Sequence, residues 1–441
     1  MALKNFKIMY SNYLNYGFFI LFISFWKAWF FYNPCKFSFL LILDNWFWYP
    51  TYASFNLTIL IVGVYFAFLI LCLAETKAAT SKTLLYSLLI LFILVIYLYI
   101  STNNLIFLFY LYEMFLVPSI YLVYYYSPNK RSLVATFYFL IWTQVGSFLV
   151  FISLIAIINY INIWNLTVLE KTYIPQFLKS FLFFFIFFGF GIKIPIWPFY
   201  YWLTKTHVEA PTFFSIYLSG FLVKTALFGF YKFFFFNLYE FMALYISILL
   251  FGICDVSLKF FTQVDIKKIV AYGTVQEMNL IYLGLLFFSK KSLVYVSLFT
   301  LTHAILSTIF FFLVDLLYKR FKSRSIYNIF GVFSFYPILT FIIIFSCLSF
   351  NAFPLSLKFM LEIFLFSVFF ELNFFIIFFV LFIINWVGTV SFTYLWFRIL
   401  FGVKASKNQS YLLDITKKEL LVFNFSFFIY YQGIYLTFFY F

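Results

Sequence analysis

Apolar residues fall along this chain in long runs, separated by short polar stretches that carry most of its charge. The runs lie near 15–32, 55–74, 83–100, 104–126, 132–160, 178–203, 211–236, 241–259, 266–288, 292–317, 335–370, 374–400 and 420–440. About 20 apolar residues in a helix cross the roughly 30 Å hydrocarbon core of a bilayer. The pattern therefore predicts an all-α, polytopic transmembrane bundle. The longest polar connections, about 33–54, 161–177 and 401–419, are too short for a soluble domain, so 1–441 reads as a single transmembrane domain.

The run 335–370 needs a decision. As one straight helix it would be about 54 Å long, too long for the core. Pro354 divides it into either two short crossings or one broken crossing. One crossing collects most loop Lys and Arg residues on a single side, from Lys130 and Arg131 through Lys205, Lys267, Lys268, Lys319, Arg320 and Arg324 to Lys417 and Lys418. Two crossings would move the residues from Arg398 to Lys418 across and weaken that bias. One broken crossing is therefore predicted, with the basic side facing the matrix or cytoplasm.

Composition agrees with a lipid solvent. The chain is 66% hydrophobic and 10% charged, with a mean hydropathy of +1.04, whereas a soluble domain carries about 25% charged residues. Its 77 Phe and 37 Tyr against 6 Met read as drift in an AT-rich, organelle-like genome, because lipid tolerates any large apolar side chain. The net charge of +15 sits mostly in short loops, where it sets orientation and does not bind nucleic acid. Cys35, Cys72, Cys254 and Cys347 are scattered without a CxxC pair, so no metal or disulfide framework is expected. The first residues lack the Arg- and Ser-rich lead of an import presequence. No phosphate-cradling loop, HExxH or Ser–His–Asp arrangement appears, so no redox catalysis and no cofactor are expected on this chain.

The informative residues are ionisable groups inside apolar runs, where each is costly and marks function or a paired charge. Glu113, in FLFYLYEMFLVPS, is the clearest. Either it is half of a structural ion pair or it takes up and releases a proton. Lys193, in FFGFGIKIPIWPFYYWL, is followed by Pro195 and Pro198. Proline removes a backbone donor and disrupts the preceding turn, and a broken helix beside a buried ion is a recurring device of transport proteins. Lys224 lies in the next run, and Lys232 near its end, where snorkelling accounts for it. His303 is either structural or a relay, since imidazole titrates near neutrality in water. His207, in KTHVEAP, reads as structural. Lys358 and Glu362 share one helix face four residues apart, so Lys358 is expected to pair locally while Glu362 functions. Glu277 completes the set. A hydrated row of groups exchanging protons accounts for all of them.

GIKIPIWPFYYWLTKTHVEAP resembles the signature of the NADH dehydrogenase subunit 4 family, the antiporter-like subunits of respiratory complex I. LYEMFLVPS, SGFLVKTALFGFY, FTQVDIKKIVAYGTVQEMNLIYLG, LTHAILSTIFFFLVDLLYKR and DITKKEL are similar to family segments in the same order, over roughly 75–440. The resemblance implies about 13–14 helices with two broken ones, an antiporter-like core over 75–400, and a matrix-side loop and final helix over 401–441. It pairs Glu113 with Lys193, makes Lys224 the connecting lysine and His303 the central relay, and places Glu362 at the outlet. Lys267, Lys358, His207 and Glu277 are secondary positions; the family commonly has histidine where this chain has Glu277. The implied partners are other membrane-arm subunits of complex I, including neighbouring antiporter-like subunits, and lipids such as cardiolipin. NADH, FMN, iron–sulfur clusters and ubiquinone belong to other subunits. The implied location is the mitochondrial inner membrane. Two readings compete: a subunit of an Mrp-type cation/proton antiporter, and an inert structural subunit.

Overall fold

The computed structural model describes residues 79–126, 130–169, 171–233, 242–287, 290–354, 356–371, 375–402 and 414–439. The predicted runs 15–32 and 55–74, and the connection 33–54, lie outside the described residues. The remaining runs are helical. In chain order the elements are α1 (Ala79–Ser101), α2 (Leu105–Met114), α3 (Leu116–Tyr126), α4 (Lys130–Ile161), α5 (Leu166–Leu169), α6 (Gln176–Lys193), α7 (Tyr201–Glu209) and α8 (Thr212–Tyr217). A π turn over Leu218–Leu222 leads into α9 (Val223–Lys232). There follow α10 (Met242–Phe260), α11 (Ile266–Leu286), α12 (Lys290–Phe321), α13 (Val332–Phe335), α14 (Pro337–Phe350), α15 (Leu357–Glu371), α16 (Phe375–Phe401) and α17 (Lys417–Phe439). Among the described residues, 8 helical stretches are long and apolar enough to cross a membrane.

Short polar signals set the helix ends. The Asn104 side chain accepts from the amides of Ile106 and Phe107 at the start of α2, and Asp265 accepts from Lys267 N at the start of α11. Thr416 and Glu419 form a reciprocal capping box at the start of α17, with 2.9 Å from Thr416 N to Glu419 Oε2 and 3.4 Å from Glu419 N to Thr416 Oγ1. Asp414 receives the amides of Ile338 at 2.6 Å and Leu339 at 3.2 Å, so a carboxylate from one connection caps α14, which opens on Pro337. The DITKKEL segment is thus an anchor for another helix.

Both expected breaks are present. Along α4, Gly146 faces Gly189 of α6, Trp142 packs on Phe199 beyond the break, and Tyr138 packs on Tyr201 of α7. The α6–break–α7 segment therefore runs as one interrupted crossing antiparallel to α4. Added methyl groups at Gly146 and Gly189 would meet the facing backbone, so glycine permits this approach. Along α12, Phe321 packs on Tyr336, Phe310 on Phe350, and Tyr295 on Phe364. The α14–break–α15 segment accordingly runs once, antiparallel to α12, as the charge bias required.

The two halves repeat after about 160 residues. Asn104 and Asp265 each cap a helix and form the bridges Asn104–Asn165 and Asp265–Ser325, and α4 and α12 each have 32 residues. The first bridge ties the side on which α4 ends and α6 begins. The second ties the side on which α12 ends and α11 begins. The halves are therefore inverted with respect to each other. On the basic side, Lys267 Nζ donates to Ala210 O at 2.5 Å and Arg324 donates to Val208 O at 2.6 Å, satisfying the C-terminal carbonyls of α7. Lys232 does not snorkel. Its ammonium donates to the carbonyls of Tyr99 at 2.9 Å, Ile100 at 3.2 Å and Thr102 at 2.8 Å, at the end of α1.

Candidate functional site

Breaking a helix at membrane depth frees backbone carbonyls that lipid cannot satisfy. At the first break Ile192 O accepts from Trp202 Nε1 at 3.0 Å, and Pro195 O from Asn279 Nδ2 at 3.3 Å. Pro195 and Pro198 both lie between α6 and α7. At the second break, which contains Pro354, Phe350 O accepts from Lys358 Nζ at 2.6 Å. Tyr430 Oη, from α17, accepts from Lys358 N at 3.2 Å and donates to Ser349 O at 3.5 Å. A lysine thus neutralises the negative end of the half-helix α14.

The candidate residues fall into two groups. In the first, Glu113 lies in the last turn of α2 and accepts from Gln144 Nε2 of α4 at 3.0 Å, while its Oε1 has no hydrogen-bond partner. Lys193, fully buried, places its ammonium 3.5 Å from the centre of the Tyr112 ring and makes no hydrogen bond. Glu113 acts on Lys193 electrostatically, but the two are not in direct contact. The ring stabilises the cation in place of the carboxylate.

The second group is continuous. The π turn exposes the carbonyl of Ser219, to which Lys224 Nζ donates; such local irregularities gather at functional positions. Lys224 Nζ also lies 2.7 Å from His303 Nδ1. An ammonium only donates, so Nδ1 accepts and the hydrogen of a neutral imidazole sits on Nε2. That Nε2 lies 3.8 Å from Glu277 Oε2, and neither atom has a hydrogen-bond partner. Glu277 Oε1 is 2.5 Å from Lys358 Nζ, and Lys358 Nζ is 3.7 Å from Glu362 Oε1. Glu362 Oε1 accepts from Asn385 Nδ2 at 3.3 Å, and Asn385 Oδ1 from Gln276 Nε2 at 3.3 Å. Gly388 leaves the space that the Gln276 amide occupies.

The row expected from sequence is therefore split. Lys224, His303, Glu277, Lys358 and Glu362 come together, and Glu113 with Lys193 stands apart. Asn279 links them, since it shares α11 with Glu277 and binds the break just after Lys193. Lys358 does not pair chiefly with its helix neighbour: Glu277, far away in sequence, is the nearer carboxylate. His207 is buried and stacks on Phe311 at 4.7 Å between ring centres, with both ring nitrogens unpartnered. Lys267 serves the end of α7. Sequence reasoning missed Gln144, Asn279, Asn385 and Tyr430, which are neutral residues inside apolar runs. Their only signal is a hydrogen-bonding group at membrane depth. Among the described residues no cluster of His, Cys, Asp or Glu is arranged to hold a metal. An alternating series of buried cations, an imidazole and carboxylates can pass protons between neighbours without moving the backbone.

Residues 102–387 match the family described as NADH:quinone oxidoreductase/Mrp antiporter, TM. The NADH-ubiquinone oxidoreductase chain 4 of Paramecium tetraurelia is 37% identical over 358 residues, covering 80% of this chain and 75% of that protein. The chain 4 of Acanthamoeba castellanii is 29% identical over 323 residues, covering 72% of this chain and 65% of that protein. A chain in the structure of respiratory complex I from Thermus thermophilus with bound NADH superposes with a TM-score of 0.75 at 17% identity, covering 86% of this chain and 80% of that one. A chain of the Mrp complex from Dietzia gives 0.69 at 16% identity, covering 81% and 68%. The chain belongs to the NADH:quinone oxidoreductase/Mrp antiporter transmembrane family, and groups within it with the NADH-ubiquinone oxidoreductase chain 4 proteins.

Proposed function

We infer that this chain is a proton-translocating membrane-arm subunit of an NADH:ubiquinone oxidoreductase. It works in the mitochondrial inner membrane, is encoded in the organelle, and lies beside other antiporter-like subunits and lipids such as cardiolipin. NADH, FMN, iron–sulfur clusters and ubiquinone are carried by other subunits, whose chemistry drives it. The observation that carries this reading is the buried series from Lys224 through His303 and Glu277 to Lys358 and Glu362. An inert structural subunit has no need of five ionisable side chains in one file at membrane depth, each costing about 2.5–3.5 kcal/mol or more to insert.

In this reading Glu113 and Lys193 load and release the middle of the path, Lys224 and His303 carry the proton across it, and Glu362 is the outlet. The Lys224 ammonium and the His303 imidazole are already within proton-transfer distance at 2.7 Å. The test is Lys224→Met in the assembled complex, measuring NADH oxidation and proton uptake in sealed vesicles. Removing a positioned proton-transfer group typically costs about 100-fold or more. A fall of about tenfold or more in coupled turnover, with normal assembly, is the conservative expectation. Normal pumping by the assembled variant would leave the inert structural subunit as the answer. Purification of the chain with a sodium/proton antiporter assembly lacking NADH oxidation would assign it to the Mrp branch.

A further inference from the structure

In the second half of the fold, the Glu277–Lys358 ion pair lies about one turn beyond the repeat position of Glu113 and Lys193, with Lys358 just after its break and Lys193 just before its own. Glu277 follows Glu113 by 164 residues and Lys358 follows Lys193 by 165, close to the spacing of the inverted repeat. The two pairs are in different states. Lys358 is closed on Glu277 at 2.5 Å, whereas Lys193 sits over the Tyr112 ring and not on Glu113. Lys358 also has a second carboxylate within reach, Glu362, one turn along its own helix at 3.7 Å. Opposite it, Glu277 Oε2 and His303 Nε2 face each other at 3.8 Å without partners. That gap exceeds a hydrogen bond.

We propose that Lys358 is a proton carrier that exchanges between Glu277 and Glu362, and that Glu277 is the acceptor that draws a proton through His303. The inference rests on the translocation reading above. When the Lys358 ammonium turns to Glu362, Glu277 is left as an unpaired buried carboxylate, which is costly. His303 Nδ1 takes a proton from the Lys224 ammonium as Glu277 takes the proton on Nε2, so the ring passes through the imidazolium and never loses its last N–H proton. Lys224 becomes a neutral amine, Glu277 a neutral acid, and the imidazole ends neutral with its hydrogen on Nδ1. Lys358 gives one proton to Glu362, returns as an amine, and receives the proton of Glu277, restoring the ion pair. One proton has moved from Lys224 to Glu362, and no charge has been created or lost. The Phe350 carbonyl, 2.6 Å from Lys358 Nζ, accepts from the ammonium head itself and is its third partner beside the two carboxylates.

The experiment uses the assembled complex in sealed membrane vesicles, with three variants. Lys358→Arg keeps the positive charge but not the ability to give up a proton. Glu277→Gln with Lys358→Met removes both charges, so neither is left buried alone. Lys224→Met reports on translocation through the chain as such. The expected result is normal assembly of Lys358→Arg and of the double variant. Both should fall about tenfold or more in NADH-driven proton uptake, the low end of what losing a proton-transfer group costs. Pumping by Lys358→Arg at the parental rate would show that only the charge matters and overturn the carrier. Pumping by the double variant would make the pair a dispensable filler. Failure of the double variant to assemble would assign the pair to packing, and overturn the proposal equally. If Lys224→Met pumps normally the translocation reading itself has failed. If Lys224→Met is impaired while the Lys358 variants pump, only the carrier has failed.

Discussion

Glu113→Gln is the sharpest perturbation of the first half of the path. The amide fills the carboxylate's volume, and its oxygen still accepts from Gln144 Nε2, now 3.0 Å from Glu113 Oε2. A hydrogen bond to a charged group is worth about 1.5–3 kcal/mol and a neutral one about 0.5–1.5, so the local loss is about 1 kcal/mol. Part of even that is recovered, because the unpartnered Oε1 no longer carries charge in a buried setting. Lys193 loses the carboxylate that acts on it across the Tyr112 ring. At about 4 Å, closer than the present separation, and an effective dielectric near 20, that attraction would be about 4 kcal/mol, so it is smaller than this. A loss of about 1.5–3 kcal/mol corresponds to roughly ten- to a hundredfold in the population that depends on the pair closing. Assembly should therefore survive, on a native gel, while coupled quinone reduction and proton uptake in vesicles fall about tenfold or more. Parental turnover and pumping in a fully assembled Glu113→Gln complex would refute the role of the carboxylate charge.

Two further outcomes follow from the packing. Asp414→Ala removes the carboxylate that accepts the amides of Ile338 and Leu339, so thermal stability of the membrane arm should fall by about 1–2 kcal/mol, the usual worth of a helix cap, with pumping per assembled complex unchanged; unchanged melting would show that water replaces the cap. Gly189→Leu forces α6 away from Gly146 of α4, and overpacking of this kind costs about 1–3 kcal/mol or more, so assembled complex should decline on native gels while Gly189→Ala declines less; equal yields of the two would place the helices farther apart than described.

Much of this fold was readable because lipid imposes a strict rule: apolar length gives the crossings, and loop charge gives their direction. The placement of Lys and Arg in the loops requires a single broken passage through Pro354, and the ring pairs along α12 agree with it. The ionisable residues of the site were legible for the same reason, since a side chain such as Glu113, Lys193 or His303 stands out against the aliphatic and aromatic residues of its run. Their partners were not. Helical spacing suggested that Lys358 answers Glu362, but a contact across the bundle brings Glu277 closer, and no local pattern encodes a contact between α11 and α15. Gln144, Asn279 and Asn385 are each a single amide among aliphatic and aromatic neighbours, and periodicity treats them as interruptions. The π turn before Lys224 leaves no mark in hydropathy at all.

The bridges Asn104–Asn165 and Asp265–Ser325 fasten helix ends at opposite faces of the membrane. A helix pinned at one end behaves as a lever, and its soft joint is wherever the hydrogen-bond ladder is cut. In this fold the cuts lie inside the two interrupted crossings, beside Lys193 and Lys358. The charges therefore sit near the fulcrum, where a lever moves least, and the machine is geared for small displacements at its centre. Force arriving from a neighbouring subunit would be felt there as an altered field before it is felt as travel.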